Sequence, residues 1–231
     1  LLTELRLVHG AVRVLGTPRR LIVYVDDLAP RQTDQETIVK GPPFSRAYDA
    51  SGLPTPAAEG FARSKGVPVS QLQKRFIDGG EYVVAVIRES GRMAGEVLAE
   101  AIPELIATLK FEKSMRWNSS NVAFSRPIRW LCALHGNQVV PFEYAGLTSG
   151  RITRGLRFSG VQEITLSNSA DYFRQIEAQG IVLAVEERRE VIEEQVRTLA
   201  ALVQGETEPE PDLVLEVADL VEAPRGLLGS F

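Results

Sequence analysis

Two short turn signals set between β-rich runs constrain this chain most. KRFI (74–77) and EYVVAVI (81–87) flank Asp78-Gly79-Gly80, and an Asp-Gly pair between such runs is a strong hairpin signal because both residues tolerate a positive φ. The second strand, Tyr82 to Ile87, is apolar enough to be central or half-buried. In WLCALHGNQVVPFEY (130–144), Gly136-Asn137 suits a two-residue turn with positive φ at its first position, so Ile128–Leu134 is expected to pair with Val139–Tyr144. Near the start, Val12–Leu15 and Leu21–Val25 are β-rich runs separated by a Gly-Thr-Pro turn, and the second reads as a buried strand.

Helical signals alternate with these strands. PTPAAEGFARSKGV (54–67) places Thr55 as N-cap, Pro56 at the first helical position and Gly66 just past the end. Val97, Leu98, Ala101, Ile102, Leu105, Ile106 and Leu109 repeat at helical spacing, with Pro103 expected to kink or split that helix. Glu163–Leu166 reads as a strand, and SADYFRQIEAQG (169–180) as a helix capped by Ser169 and stopped by Gly180. A last long helix begins near Val185, with a stripe of Val185, Ile192, Val196, Leu199 and Val203 and an i,i+4 pair between Glu193 and Arg197.

Strands and helices without regular βαβ repetition predict an α/β or α+β domain with a mixed sheet and packed helices. It is placed at residues 1–203, with a possible helical insertion near 54–75. The Pro-rich stretch QGETEPEPD follows, and from Glu206 to Glu222 there are seven acids and no base. That composition marks a linker at 204–211 and the start of a further, truncated segment at 212–231. A start on Leu1 and an apolar close at GLLGSF read as a piece of something longer.

The whole has 231 residues, 44% hydrophobic, which is enough for a sizeable core. No apolar run approaches the roughly 20 residues of a membrane span, so no membrane role is expected. A single cysteine and no leader-like start point to a reducing cytoplasm. Only His9, His135 and Cys132 could serve as soft metal ligands, so no zinc constellation is expected, and no phosphate-binding glycine motif or GxSxG occurs. Cys132 reads as a small core residue and His135 as a solvent-exposed turn residue.

Positive charge gathers in three places in a chain of net charge -4. They are Arg19-Arg20, the stretch from Lys110 to Arg129, and SGRITRGLRF with Arg151, Arg154 and Arg157. In residues 111–136, four cations (Lys113, Arg116, Arg126, Arg129) stand among four aromatics (Phe111, Trp117, Phe124, Trp130), with Glu112 the only acid. Arginine forks grip phosphates and aromatic rings stack on bases, so this mixture suits a nucleic-acid surface. It equally suits a core of Trp117, Phe124 and Trp130 with the arginines paired to carboxylates. On a strand, Arg129 faces away from Ile128 and Trp130, toward solvent or a partner. Arg151, Arg154 and Arg157 recur every three residues. They would not share one face of a strand, but in a loop they could converge on one phosphate.

In order, GTPRRL, KGPP, PTPAAEGFARSKGV, KSMRW, FSRPIRWL, VVPFEYAGLTSGRITRGLRF, ADYF, VLAVEERR and LVEAPRGLLGSF resemble the β subunit of bacterial heterotetrameric glycyl-tRNA synthetase, over nearly the whole chain. The resemblance implies the N-terminal third or so of that subunit. It lacks the family's opening LLIEIGTEELP-like stretch and its later anticodon-binding and His-Asp phosphohydrolase-like regions. It implies a subunit of glycine-tRNA ligase whose separate α subunit carries the active site and uses ATP and Mg to make glycyl-adenylate, in a heterotetramer of two α and two β subunits. This segment alone would then lack catalytic activity. It also implies similarity to the editing-type module of the phenylalanyl-tRNA synthetase β subunit. Where the family usually has His in TRGHRF, this chain has Leu156, a departure that counts against hydrolytic editing. So does the smallness of glycine, since a tight pocket excludes larger amino acids sterically.

Three readings follow. The first is a non-catalytic module supporting tRNA(Gly) binding and assembly with the α subunit. The second is a purely structural scaffold, and the third a vestigial or active editing module. The resemblance carries over Arg19, Arg20, Lys113, Arg116, Trp117, Arg126, Arg129, Arg151, Arg154 and Arg157 as tRNA- or partner-contacting residues, with Arg151, Arg154 and Arg157 foremost.

Overall fold

The computed structural model describes residues 1–157, 160, 162–208 and 210–229. Phe158 of the GLRF motif, Pro209 of the acidic linker, and Ser159, Val161, Ser230 and Phe231 lie outside the described residues. The strands are β1 (Val12–Thr17), β2 (Arg20–Val25), β3 (Gln35–Pro43), β4 (Gln73–Ile77), β5 (Gly80–Glu89), β6 (Leu134–His135), β7 (Gln138–Val139), β8 (Glu143–Tyr144), β9 (Leu147–Thr148), β10 (Ile152–Arg154) and β11 (Glu163–Thr165). The helices are α1 (Phe44–Ala47), α2 (Pro56–Ser64), α3 (Ala94–Thr108), α4 (Asp171–Glu177), α5 (Val185–Leu202) and α6 (Pro211–Ala218). They fall into two compact units, Leu1–Leu7 with Arg31–Arg92, and Val8–Pro30 with Met93–Phe231. Among the described residues the α/β character holds, but the strands form five small antiparallel sheets instead of one mixed sheet. The parallel pairing is an isolated bridge between Cys132 and Gly150.

The first unit is built on a three-stranded sheet in the order β3-β5-β4. Its turn is the expected one: Asp78 and Gly79 take φ of 50° and 80°, and Ile77 pairs with Gly80. Central β5 buries Val83, Val84 and Ala85 completely. β3 is an edge strand, which is why the consecutive prolines of KGPP are tolerated at its end, where the register shifts between Lys40 and Pro43. Gly41 of that motif lets the strand meet α2, since a Cβ there would lie 2.5 Å from the Phe61 ring. Ala47, Ala58 and Val83 form the core, with Phe44, Tyr48, Phe61 and Leu72 packed around them. α2 starts at Pro56 with Thr55 in the N-cap position, as expected, its carbonyl accepting from the Glu59 N–H at 3.1 Å, but the Thr55 side chain makes no cap bond. The Thr55 hydroxyl donates to the Arg46 and Ala47 carbonyls at 2.7 and 3.1 Å, closing the end of α1.

In the second unit β1 and β2 pair along six residues, from Val12–Val25 to Thr17–Arg20. β2 is not the buried strand its composition predicts. One face of the hairpin carries Leu15 and Ile22 into a core of Ile164, Leu166, Ile176, Ile181 and Leu183, while Leu21 and Val23 on the other are each 57% exposed. The Gly136-Asn137 turn forms, with Gly136 at φ 58° and no positive φ at Asn137. Its strands, however, are two residues each. The 128–134 run does not extend the hairpin because Leu131 and Ala133 exchange backbone bonds with Gly150, and Val140 donates to Ala133. Residues 143–148 then fold back on themselves as β8 and β9.

The helices correct the sequence reading in small ways. α3 runs unsplit from Ala94 to Thr108 with Pro103 inside it. Ser169 does not cap α4: Ala170 holds the N-cap position with no side-chain cap bond, and Asn168 Oδ1 accepts from the Asp171 N–H at 3.1 Å in the turn before it. Arg197 Nε donates to the Glu193 main-chain carbonyl at 3.3 Å, not to its carboxylate. On the apolar stripe of α5, Val196 remains 41% exposed, and Val203 just past the helix end 55%.

One α5 side chain had no sequence signal. Arg188, which the sequence shows only as part of VLAVEERR, is 2% exposed. Its Nε donates to the Ala218 carbonyl at 2.9 Å, and Nη1 lies 3.1, 2.9 and 2.8 Å from those of Gly16, Val182 and Leu183. A guanidinium thus satisfies the ends of three segments at once. Removing it strands several buried carbonyls, each costing roughly 1–3 kcal/mol. Arg188→Leu should therefore lower unfolding stability by at least about 3 kcal/mol, read by urea denaturation of the purified chain. A loss below about 1 kcal/mol would show that these carbonyls find other partners.

Candidate functional site

Residues 110–130 form an exposed excursion with little regular structure. It is closed by an antiparallel bridge in which Met115 N–H donates to the Phe124 carbonyl at 2.8 Å and Phe124 N–H returns to Met115 at 3.1 Å. Within it Asn118 organises the turn: its Oδ1 accepts from the Ser120 N–H and hydroxyl, and its Nδ2 donates to the Ala145 carbonyl at 2.8 Å. Phe111 and Phe124 meet edge to face at 4.6 Å between centroids. Lys113 and Arg126 stand two residues outside the bridge, one on each arm. Lys113, Arg116, Arg126 and Arg129 are all exposed, and Trp117 is half-buried. Arg116 Nε donates to the Asn121 carbonyl at 3.1 Å. Among the described residues, Lys113, Arg126 and Arg129 make no side-chain hydrogen bond or ion pair. Their ammonium and guanidinium groups are available to an external anion.

The other arginines are placed differently. Arg20 is buried in a cluster centred on Glu222. Arg20 Nε and Nη2 donate to the two Glu222 carboxylate oxygens at 2.7 and 3.3 Å, and Arg20 Nη1 donates to the Arg154 carbonyl at 3.0 Å. Arg19 adds a bond to the same carboxylate at 3.0 Å and another to the Gly155 carbonyl at 3.1 Å. The Thr17 hydroxyl donates to Glu222 at 2.5 Å. Trp130, read from its alternation as a core residue, instead lies beside two cations, with the Arg20 and Arg154 guanidinium carbons 5.8 and 5.9 Å from its ring centroid.

Arg151 and Arg154 turn to different internal acceptors. Arg151 Nη1 donates to the Leu166 and Ser167 carbonyls at 3.1 and 3.3 Å and Nη2 to that of Asn137 at 3.0 Å. Arg154 reaches its cross-strand neighbour Glu163 at 3.4 Å. Arg157 is exposed.

Electrostatics follow the burial. Desolvation alone would push the Glu222 carboxyl up, but the hydrogen bonds from Arg20 and Thr17, with the charges of Arg20 and Arg19, more than offset it and leave it below the usual carboxylate range. Burial likewise lowers the Arg20 guanidinium, and Glu222 outweighs that and raises it. Cys132, half-buried and packed against the β10–β11 core, has its thiol pushed up by burial to about 11, with Arg151 only partly opposing. His135 is half-buried rather than exposed, its Nε2 3.0 Å from the Leu28 carbonyl. Among the described residues no three His, Cys, Asp or Glu side chains group as a metal site.

The model of the glycyl-tRNA synthetase beta subunit family matches residues 1–231. The chain belongs to this family. It is 47% identical over 231 residues to the chloroplastic/mitochondrial glycine-tRNA ligase 2 of Arabidopsis thaliana, covering 100% of this chain and 22% of the relative. The glycine-tRNA ligase beta subunits of Desulforamulus reducens and Desulforudis audaxviator are 45% and 44% identical, each covering 100% of this chain and 33% and 34% of the relative. The chain thus spans about a third or less of the length of these relatives.

Within this β-subunit family chain, Leu156 acquires a physical meaning. It packs, half-buried, against the Ile164–Leu183 core cluster, where a histidine would bring a polar ring to an apolar wall. Glu222 and Arg188 are the site-forming residues that sequence reasoning missed. Glu222 stands in the sequence as the end of an acidic run and within LVEAPRGLLGSF, and no local pattern marks an acid whose partners lie 202 to 205 residues away.

Because the folded Glu222 has a depressed pKa, its contribution is fully present above the unfolded value of about 4.3 and is lost as pH falls through the lower folded value. Glu222→Gln should therefore be markedly less stable than the parent at pH 7, with the two denaturation midpoints converging below about pH 4. A gap unchanged with pH would remove Glu222 from the acid transition. For Cys132, a pKa of about 11 leaves about a thousandth of the thiol ionised at pH 8. Alkylation by iodoacetamide should be slow in the folded chain and fast in denaturant, followed by mass shift. Equal rates would show an accessible thiolate.

Proposed function

We propose that this chain is the part of a glycine-tRNA ligase β subunit that supports tRNA(Gly) binding and assembly with the catalytic α subunit, in a heterotetramer of two α and two β subunits. ATP, Mg and glycine are used at the α subunit, and the ligase works in the cytoplasm. The observation that carries the RNA-binding role is the 110–130 excursion, where Lys113, Arg126 and Arg129 keep their donors free beside Phe111 and Trp117. Cations with no internal partner on an exposed loop act on phosphates at little cost, because no existing bond is given up. Arg116, with one bond to its own loop, joins them. Arg154, Arg151, Arg19 and Arg20 are ranked behind these, in rising order of commitment to internal acceptors, and Arg157 stands with them as a candidate.

A second reading has its own support. Arg19, Arg20 and Arg151 hold carbonyls and a buried carboxylate together, as in a purely structural scaffold for the α/β assembly. The likeness to an editing-type module of the phenylalanyl-tRNA synthetase β subunit stands third, with Leu156 packed in the core where the family's histidine would be.

The two leading readings separate on salt. In the assembled ligase, each of Lys113→Ala, Arg126→Ala and Arg129→Ala should weaken tRNA(Gly) binding and reduce the log Kd against log salt slope by about one unit. Arg151→Gln should leave that slope unchanged and lower thermal stability instead. If all three loop variants keep the parental slope, the loop does not touch phosphate and the scaffold reading replaces this one.

A further inference from the structure

The second unit carries an open cleft between α5, α6 and the residues that follow α6. Its volume is about 510 Å³. Ile192 and Val196 of α5 form one wall, Leu213, Val214 and Val217 of α6 the other, and Val221 closes the floor. The arrangement is fixed by Gln195, whose Nε2 donates to the Pro224 carbonyl at 3.2 Å while its Oε1 accepts from the Gly226 N–H at 2.5 Å. The apolar walls are incompletely covered, with Leu213 52% and Val196 41% exposed.

The rim has one sign along its α6 side. Glu208 and Glu210 line the cleft, and Glu206, Asp212 and Glu216 flank them. Among the described residues none of these five acids has an ion-pair partner, in contrast to Glu222 of the same acidic run. Arg225 is the one cation in the lining, set on the opposite side among the residues after α6. An apolar trough along two helices that pack on each other, bordered by unpaired carboxylates, disfavours phosphate and other anions by charge. It also lacks the convergent polar groups of a small-molecule pocket. What complements it is an amphipathic helix with apolar residues at i, i+3, i+4 and i+7 and lysine or arginine on its flanks.

We propose that this cleft is a docking site for a basic amphipathic helix of a separate partner polypeptide. The apolar side chains of that helix fill the space between Val196 and Leu213, and its flanking cations meet Glu208 and Glu210. The site is independent of the RNA reading, because it uses none of the cations of the 110–130 loop. Burial of the walls supplies the affinity, and the acids set orientation and selectivity against acidic helices.

The test uses a 14-residue leucine/lysine helical peptide as probe, with its leucine/glutamate counterpart as control, titrated into the 231-residue chain by fluorescence anisotropy. Saturable one-to-one binding of the leucine/lysine peptide is expected, with no binding of the counterpart. Glu208→Lys combined with Glu210→Lys should raise Kd at least about tenfold, an effect that 0.5 M NaCl erases by weakening the parent, as salt screens exposed charges within about 10 Å. Leu213→Asp, an exposed position where the fold is little at risk, should abolish binding while circular dichroism stays unchanged. Absent or unsaturable binding, equal binding of the acidic peptide, or indifference to both sets of substitutions would each overturn the proposal. So would a self-associated chain that becomes monomeric on Leu213→Asp, because a second copy would then be the occupant.

Discussion

The second unit is organised about one carboxylate. Glu222 accepts from the Thr17 hydroxyl, from Arg19 and twice from Arg20, and its main-chain carbonyl accepts from the Val182 N–H at 2.8 Å. A single residue near the end of the chain thereby fixes the β1–β2 turn and the approach to α5. Desolvating this ion pair is costly, with the two side chains 3% and 5% exposed, and only near-complete satisfaction of both partners makes it tolerable. Arg20 achieves that by spending its remaining donor on the Arg154 carbonyl and lying beside Trp130. Arg188 repeats the device a few residues away on Gly16, Val182, Leu183 and Ala218. The reason is geometric. The carbonyls of Gly16, Val182, Leu183 and Ala218 come from separate segments of β1, a loop and the end of α6, and a guanidinium with five N–H donors is the side chain able to collect several of them at once.

That requirement divides the arginines of this chain into two populations. Arg19 and Arg20 at the β1–β2 turn and Arg151 just before β10 serve internal acceptors. Arg126 and Arg129 on the 110–130 excursion do not, and Arg116 makes one bond to its own loop, because the backbone there closes on itself through the Met115–Phe124 bridge and the Asn118 turn. The same residue type in the same local composition is thus a strut in one place and a free cation in the other. Spacing along the sequence does not distinguish the two, since Arg151 and Arg154 look as available in GRITRG as Arg126 and Arg129 do in SRPIRW.

Much of the local structure was legible. The Asp78-Gly79 and Gly136 turns, the start of α2 at Pro56, the strand at 163–165 and the onset of α5 at Val185 all follow from signals carried by a few adjacent residues. What failed was set at a distance. The run Ile128–Leu134 is a good strand by composition, yet Gly150 takes its hydrogen bonds before the hairpin can extend. Leu21 and Val23 are as apolar as Leu15 and Ile22 but lie on the face that the Ile164–Leu183 core does not cover. Thr55 holds the N-cap position of α2, but its hydroxyl is oriented to donate to the carbonyls at the end of α1 and makes no cap bond. The family could be read from the sequence because it rests on ordered motifs. The partition of cations between structure and surface could not, because it depends on which carbonyls the fold leaves unpaired.

The same logic resolves how an acidic chain can carry an exposed cationic surface. A net charge of -4 sets the field only at ranges where salt, with a Debye length near 8 Å at physiological ionic strength, has already screened most of it. At contact range the local donors decide, and what counts is donors in excess of internal acceptors rather than the sum of signs. The acidic run 206–222 obeys the mirror rule. Glu222 is consumed by Arg20, while Glu208 and Glu210 keep their charge for the rim of an apolar cleft. Charge in this protein is therefore informative only after the buried pairs are subtracted. What remains is a set of free cations on one loop and a set of free carboxylates on another, each able to select a partner of opposite sign.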